Sequence, residues 1–267
     1  MILGIAQFRP LLGEIDMNLE TAGRLLTKHP FDLAVLPELA TTGYSFASRR
    51  DLHAAAEDKN GKSFQFFEDL SSQTGGAIVW GVAEKKGSKI YNSAVLTTPE
   101  GDHHIYRKTH LYFREKLIFD PGNTGFKVVT WRKTRIGIMV CFDWIYPESA
   151  RVLALQGCQI ICHPANLVLP YCQDAMITRA LENRVFCATA NRIGTEKIGR
   201  FKLTFTGKSQ VVDPTGNRIL KLGRLEQGFK TVKINPLLSD TKTVNRHNDL
   251  FADRRTGYYA LMSRRIR

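Results

Sequence analysis

Residues 134–156, TRIGIMVCFDWIYPESARVLALQ, constrain this chain most, because their periodicity changes midway. In the first part Ile136, Ile138 and Val140 alternate, and β-branched residues spaced by two predict a buried strand. The last part carries helix signals: Pro147 suits the first helical position, Glu148 the positive end of the helix dipole, and Gly157 a stop. Cys141 falls where strand gives way to turn. A side chain there is held by two packed elements and faces the crevice at a strand's carboxyl end, where α/β sheets bind ligands. A free cysteine is also a common small core residue. The other four cysteines have only that second setting.

The rest of the chain alternates in the same way. Strands are predicted over 2–8, 31–36, 77–83, 90–97, 104–108, 126–130, 135–140, 159–162, 186–190, 206–213, 218–220 and 228–234. Gly87-Ser88 and Arg132-Lys133 turn two hairpins. Helices are predicted over 63–72, 148–156 and 174–183, and from an Asp16 cap to about residue 28. Leu19, Ala22, Leu25 and Leu26 stripe that first helix. Residues 109–126 read as a loop, because Pro121, Gly122, Asn123 and Gly125 punctuate them. FDLAVLPE and GCQIICHPAN echo each other as short apolar strands ending at a proline and a polar residue. No linker divides the chain. The expectation is one α/β domain over 1–267 whose halves pack sheet against sheet. Its polar, basic extension over 235–267, with Tyr258 and Tyr259, is expected to pack on a partner subunit.

Composition excludes several classes. With 43% hydrophobic and 24% charged residues the balance is globular. No apolar run approaches the roughly 18 residues of a membrane span, and MILGIAQF reads as a strand rather than a signal peptide. Five cysteines spread through apolar segments suggest reduced thiols in a cytoplasmic protein. A net charge of +13 attracts anions, nucleic acid included. The basic residues are scattered, however, without a basic helix or aromatic platform, so no dedicated nucleic-acid site is expected. The charge mildly favours a substrate carrying a carboxylate.

Three polar side chains sit where buried strands run out: Glu38, Lys108 and Cys141. A thiolate is the reactive form of cysteine. A carboxylate can take the thiol proton, and a cation can stabilise the anion formed on attack. Spacing alone does not show that the three converge. Cys158, Cys162 and His163 lack a second ligand pair at zinc spacing, so no metal is expected. A Cys141–His163 dyad stays open at this point. Phosphate-binding glycine loops are absent.

The strings around these residues resemble a known family. PELATTGY at Glu38, YRKTHL at Lys108 and CFDWIYPESARVLALQG at Cys141, followed by HPANL, RALENRVF and ANRIG, together resemble the nitrilase superfamily of carbon–nitrogen hydrolases over nearly the whole chain. The resemblance implies a four-layer α-β-β-α sandwich, a homodimer or higher homo-oligomer, and no cofactor. It implies Glu38 as general base, Cys141 as nucleophile, and Lys108 with the Phe142 amide as oxyanion donors. It also implies Glu115 as a second carboxylate that places lysine and substrate; pairing of Glu115 with Arg114 or Lys116 is the alternative. Candidates for the pocket lining are Tyr44, Phe113, Trp144, Asn166 and Leu167. The expected reaction is hydrolysis of a small linear amide through a cysteine thioester. Nitrile and N-carbamoyl hydrolysis are alternatives that use the same triad. A non-catalytic nucleic-acid or protein-binding module on the same fold is the alternative from another class.

Overall fold

The computed structural model describes residues 1–263. The last four residues of the expected extension, with Arg264, Arg265 and Arg267, lie outside the described residues. In chain order the first half holds strands β1 (Ile2–Gln7), β2 (Leu33–Val35), β3 (Ala77–Lys86), β4 (Lys89–Thr97) and β5 (His103–Arg107). Helices α1 (Ile15–Leu26), α2 (Arg49–Ala55), α3 (Lys62–Thr74) and α4 (Glu115–Ile118) belong with them. The second half holds β6 (Val128–Trp131), β7 (Thr134–Ile138), β8 (Ile160–Ala165), β9 (Phe186–Asn191), β10 (Thr195–Ile198), β11 (Phe201–Thr204), β12 (Gln210–Val212), β13 (Arg218–Lys221) and β14 (Gly228–Lys233). Helices α5 (Pro147–Leu155) and α6 (Cys172–Asn183) complete it.

Two six-stranded sheets result, in the orders β14-β1-β2-β3-β4-β5 and β13-β12-β9-β8-β7-β6. Each has a parallel centre, β1-β2-β3 and β7-β8-β9, flanked by antiparallel strands. The echo between the two halves is therefore a repeated topology. Side-chain alternation splits each strand between two layers. In β3, Ile78, Trp80 and Val82 pack with Leu19 and Leu25 of α1 and Phe64 and Phe67 of α3, while Ala77 and Val79 face the other sheet beside Ile136, Ile160 and Ala188. With α5 and α6 packed on the second sheet, the order of layers is α-β-β-α.

Several boundaries shift. Asp16 does not cap α1; Glu14 occupies that position without a side-chain cap, and Asp16 lies in the first turn, where its charge still suits the dipole. Pro147 does open α5, and Gly157 ends it with φ +82°. The predicted strand at 206–213 shrinks to Gln210–Val212. Before it, residues 195–204 carry a hairpin, β10–β11, that pairs with neither large sheet. Within the C-terminal segment, Ser239 donates to the Gln159 carbonyl, and Lys242 donates to the carbonyls of Asn183 and Arg184 at the end of α6. Part of that segment thus packs on its own chain. Among the described residues no helix is long and apolar enough to cross a membrane.

Candidate active site

Glu38 lies just past the carboxyl end of β2, in a turn where Leu39 adopts φ +47°. The turn lies directly on β3 because residue 81 is glycine. A Cβ on Gly81 would stand 2.3 Å from the Leu39 nitrogen and 2.7 Å from the Glu38 Cα. An isolated glycine inside a strand often marks such a close backbone approach.

Lys108 directly follows β5, and its N–H donates to the Asn92 carbonyl at 2.8 Å. Its ammonium donates to Glu38 Oε1 at 2.6 Å and to Glu115 Oε1 at 2.8 Å. Asn92 Nδ2 donates to the same Glu38 oxygen at 2.6 Å, and the Tyr44 hydroxyl donates to Glu115 Oε1 at 2.6 Å. Glu115 is therefore buried against Lys108, and the alternative of a loop pair with Arg114 or Lys116 is set aside. Glu38 Oε2 is buried and has no hydrogen-bond partner among the described residues.

Cys141 opens a short 3₁₀ turn just past the end of β7. Its φ of +44° is a left-handed conformation that costs a non-glycine residue roughly 1–2 kcal/mol. The surroundings hold it there. The Asp143 carboxylate accepts from the Val140 N–H at 2.9 Å, the Tyr106 hydroxyl at 2.7 Å and the His110 ring at 2.7 Å. His163 Nε2 donates to the Cys141 carbonyl at 2.9 Å, and its Nδ1 lies 3.1 Å from the Thr189 hydroxyl. With both ring nitrogens so engaged, and its pKa lowered by burial, His163 is a structural, neutral imidazole. This disposes of the Cys–His dyad.

Charge explains the protonation states. Two carboxylates and one ammonium leave the cluster at −1, and ionising the thiol would make it −2. Burial, then Glu38, pushes the Cys141 thiol well above its usual range; Lys108 and the Asn166 backbone amide only partly offset this. Burial opposes the Lys108 ammonium, but Glu115 and Glu38 outweigh it and raise its pKa. Burial also raises Glu115. The thiol is thus neutral at rest.

Cys141 borders a narrow cleft of about 10 Å³ whose wall includes Phe142, Trp144, Asn166 and Leu167 from the predicted set. Tyr112, Val168 and Leu169 join them; sequence reasoning missed these three. Phe113 is a correction. It is 47% exposed, with φ +48°, and lines a separate small cavity shared with Glu115 and Ile118. Tyr44 lines that cavity too and addresses Glu115 rather than the cleft. Asn166 is buried, yet neither polar atom of its side chain has a partner among the described residues. No Lys, Arg, Asp or Glu appears in the cleft wall. The basic residues gather elsewhere: Lys208, Lys221 and Arg224 line a surface cleft of about 530 Å³. Among the described residues no group of three or more His, Cys, Asp or Glu is placed to hold a metal. The Cys158 thiol donates to the Ile160 carbonyl inside the core.

The chain is similar in sequence and fold to known proteins. The profile of the family described as carbon-nitrogen hydrolase matches residues 3–243. The chain is 42% identical over 257 residues to a nitrilase of Pyrococcus abyssi, covering 95% of this chain and 97% of that one. Its fold is similar to the crystal structure of a carbon-nitrogen hydrolase from Helicobacter pylori G27, with TM-score 0.91 and 25% identity, covering 100% and 99% of the two chains. It is also similar to an amidase of Nesterenkonia sp. AN1 that carries acrylamide added at its active-site cysteine, with TM-score 0.77 and 25% identity, covering 97% and 98%.

Proposed function

Because the chain belongs to the carbon–nitrogen hydrolase family, acting on C–N bonds other than peptide bonds, we propose that it hydrolyses a small, uncharged linear amide through a thioester on Cys141. The observation that carries this reading is the shape of the Glu38 carboxylate's surroundings. One oxygen is held by Lys108 and Asn92, and the other is buried and free. The free oxygen takes the thiol proton as the sulfur attacks the amide carbon. The resulting oxyanion is stabilised by the Lys108 ammonium and the Phe142 N–H. Nitrogen leaves as ammonia or an amine, taking the proton back from Glu38. A water, deprotonated by Glu38, then attacks the thioester carbon; the C–S bond breaks, the proton on Glu38 returns to the Cys141 sulfur, and the acid is released. Glu115 keeps Lys108 charged and oriented, and no step needs a metal or organic cofactor.

The cleft argues for the substrate class. Its walls are aromatic and aliphatic apart from Asn166, whose free carboxamide can pair with an amide group. The carboxylate-bearing substrate expected from the net charge finds no cation in the cleft wall. A panel of short aliphatic amides, their carboxylate- and amine-bearing analogues, nitriles and N-carbamoyl compounds, scored for ammonia release, tests the proposal. Neutral amides are expected to lead, with an acyl adduct on Cys141 by mass spectrometry. Preference for nitriles or N-carbamoyl compounds reassigns the subclass. No adduct with any compound, together with salt-sensitive nucleic-acid binding, favours the non-catalytic module instead.

Association as a homo-oligomer belongs to the same reading. Val152 and Leu155 on α5, Leu181 on α6, and Leu261 and Met262 near the end of the described chain are exposed apolar residues. All five cysteines are free, which fits the proposed reducing, cytoplasmic setting. A monomer by light scattering at micromolar concentration rejects the oligomer.

A further inference from the structure

Arg192 is completely buried, an unusual place for a guanidinium. Its Nη1 donates to Glu196 Oε1 at 2.5 Å, and its Nη2 to the Pro10 carbonyl at 2.9 Å. The other Glu196 oxygen accepts two backbone N–H groups, from Ser45 at 2.8 Å and Tyr44 at 3.3 Å. The same unit grips Tyr44 a second way. The Arg192 guanidinium lies 4.1 Å over the Phe205 ring, and Phe205 meets the Tyr44 ring edge-on at 5.9 Å. Residue 43 can only be small: its φ is +75°, and a Cβ there would stand 2.7 Å from the Leu12 Cα. Glu196 belongs to β10, so the β10–β11 hairpin, bonded to neither large sheet, is tied to the Tyr44 turn.

We infer that the Arg192–Glu196 pair is a positioning device for the reaction: it fixes residues 43–45 so that the Tyr44 hydroxyl holds Glu115, which in turn orients Lys108. The chain of contacts is continuous, from Glu196 to the Tyr44 and Ser45 amides, from the Tyr44 hydroxyl to Glu115, and from Glu115 to the Lys108 ammonium. Nothing else in the site needs a carboxylate at residue 196. An ion pair serving packing alone could be replaced by apolar residues of similar volume without loss. This pair also supplies an acceptor to two amides of a turn that touches the catalytic cluster. The inference rests on the amide-hydrolase reading above.

The test is a double-mutant cycle on kcat with the full chain and the best amide of the panel, using Glu196→Gln and Tyr44→Phe. Glu196→Gln is expected to lower kcat by about 10–100-fold with KM within about twofold, and Tyr44→Phe by a similar factor. The double variant should be no worse than the weaker single within about threefold, because both changes break one chain of contacts. Multiplying effects, or a Glu196→Gln kcat within twofold of wild type, overturn the inference. Should Glu196→Gln not fold, Glu196→Asp takes its place in the cycle. It keeps a charge for Arg192 but shortens the reach to the two amides, and the same outcomes decide. Alkylation of Cys141 by iodoacetamide, read by peptide mass, follows the site without an amide substrate. A slower rate in the Glu196 variant supports the inference, and an unchanged rate opposes it. A wild-type protein that turns over none of the panel defeats the amide-hydrolase reading instead, and does so before any variant is made.

Discussion

The two sheets meet at the site with opposite characters. The first brings charge: Glu38 from the end of β2, Lys108 from the end of β5, and Glu115 from the loop beyond, locked together by bonds of 2.6 to 2.8 Å. The second brings a neutral thiol on a strained turn and a largely apolar wall around it. The charged side is fully assembled in the free protein, which the proposed attack would exploit because preorganised charges need not reorganise. Burial on the neutral side and the nearby Glu38 carboxylate together keep the thiol protonated. In the proposed reaction this division separates selection, assigned to the wall, from activation, assigned to the ion cluster.

Changes on each side should therefore fail differently. Cys141→Ala removes the bond-forming atom and is expected to cut kcat by a factor on the order of 10⁶ while the circular dichroism spectrum stays native. Turnover close to wild type in that variant would reject the nucleophile. Glu38→Gln keeps the shape of the charged side but not its base, and should cost about 10²–10⁴ in kcat. A wild-type rate there would move the base elsewhere. Gly81→Ala tests whether the charged side depends on backbone contact. The added methyl collides with the Glu38–Leu39 turn, so a stability loss of about 1–3 kcal/mol in urea should accompany a drop in kcat. An active, unperturbed G81A protein would show that the turn can shift freely.

The pH dependence of stability follows from the buried thiols. Burial raises the pKa of all five cysteines, Cys158 to about 12. A thiol whose folded pKa exceeds its unfolded one stabilises fully below about 8.5 and loses that contribution as pH climbs toward the folded value. Lys242 runs the other way. Burial lowers it to about 8. Its unfolded form therefore binds more proton between about 8 and 10.4, and its contribution improves as pH rises there. Five thiols outweigh one lysine, so the melting temperature should fall above about pH 8.5. A flat or rising melting curve between about pH 9 and 11 contradicts this balance.

The smallest expected effect is on the neutral side. The Asn166 side chain makes no hydrogen bond in the free protein, so Asn166→Leu should leave stability unchanged or raise it, while KM for a neutral amide rises about tenfold. An unaltered KM would remove Asn166 from substrate recognition.

Local strings singled out Glu38, Lys108 and Cys141 at strand ends and Glu115 seven positions after Lys108, and the structure brings Glu38, Lys108 and Glu115 into direct contact. Asn92 went unnoticed. It lies inside a strand pattern, and only the β3–β4–β5 register puts its carbonyl on the Lys108 N–H and its amide on Glu38. Tyr112 and Glu196 went unnoticed for a related reason: both sit in segments without apolar period, and their roles come from partners far along the chain. Phe113 was misplaced because an aromatic residue near a catalytic lysine looks like a pocket wall, whereas its left-handed backbone turns it toward Phe201.

Period and punctuation in the sequence determined that strands and helices would alternate, that two halves would pack sheet against sheet, and that a cysteine would stand at the mouth of one strand. These are properties of neighbours, set by sterics and burial within a few residues. Only the tertiary structure decided that one ammonium would sit between two carboxylates, that His163 would serve a carbonyl instead of the thiol, and that the cleft would hold no charge in its wall. Those outcomes depend on which sheet edges and loops are brought within a few ångströms of one another, and on the cost of burying charge once they are there.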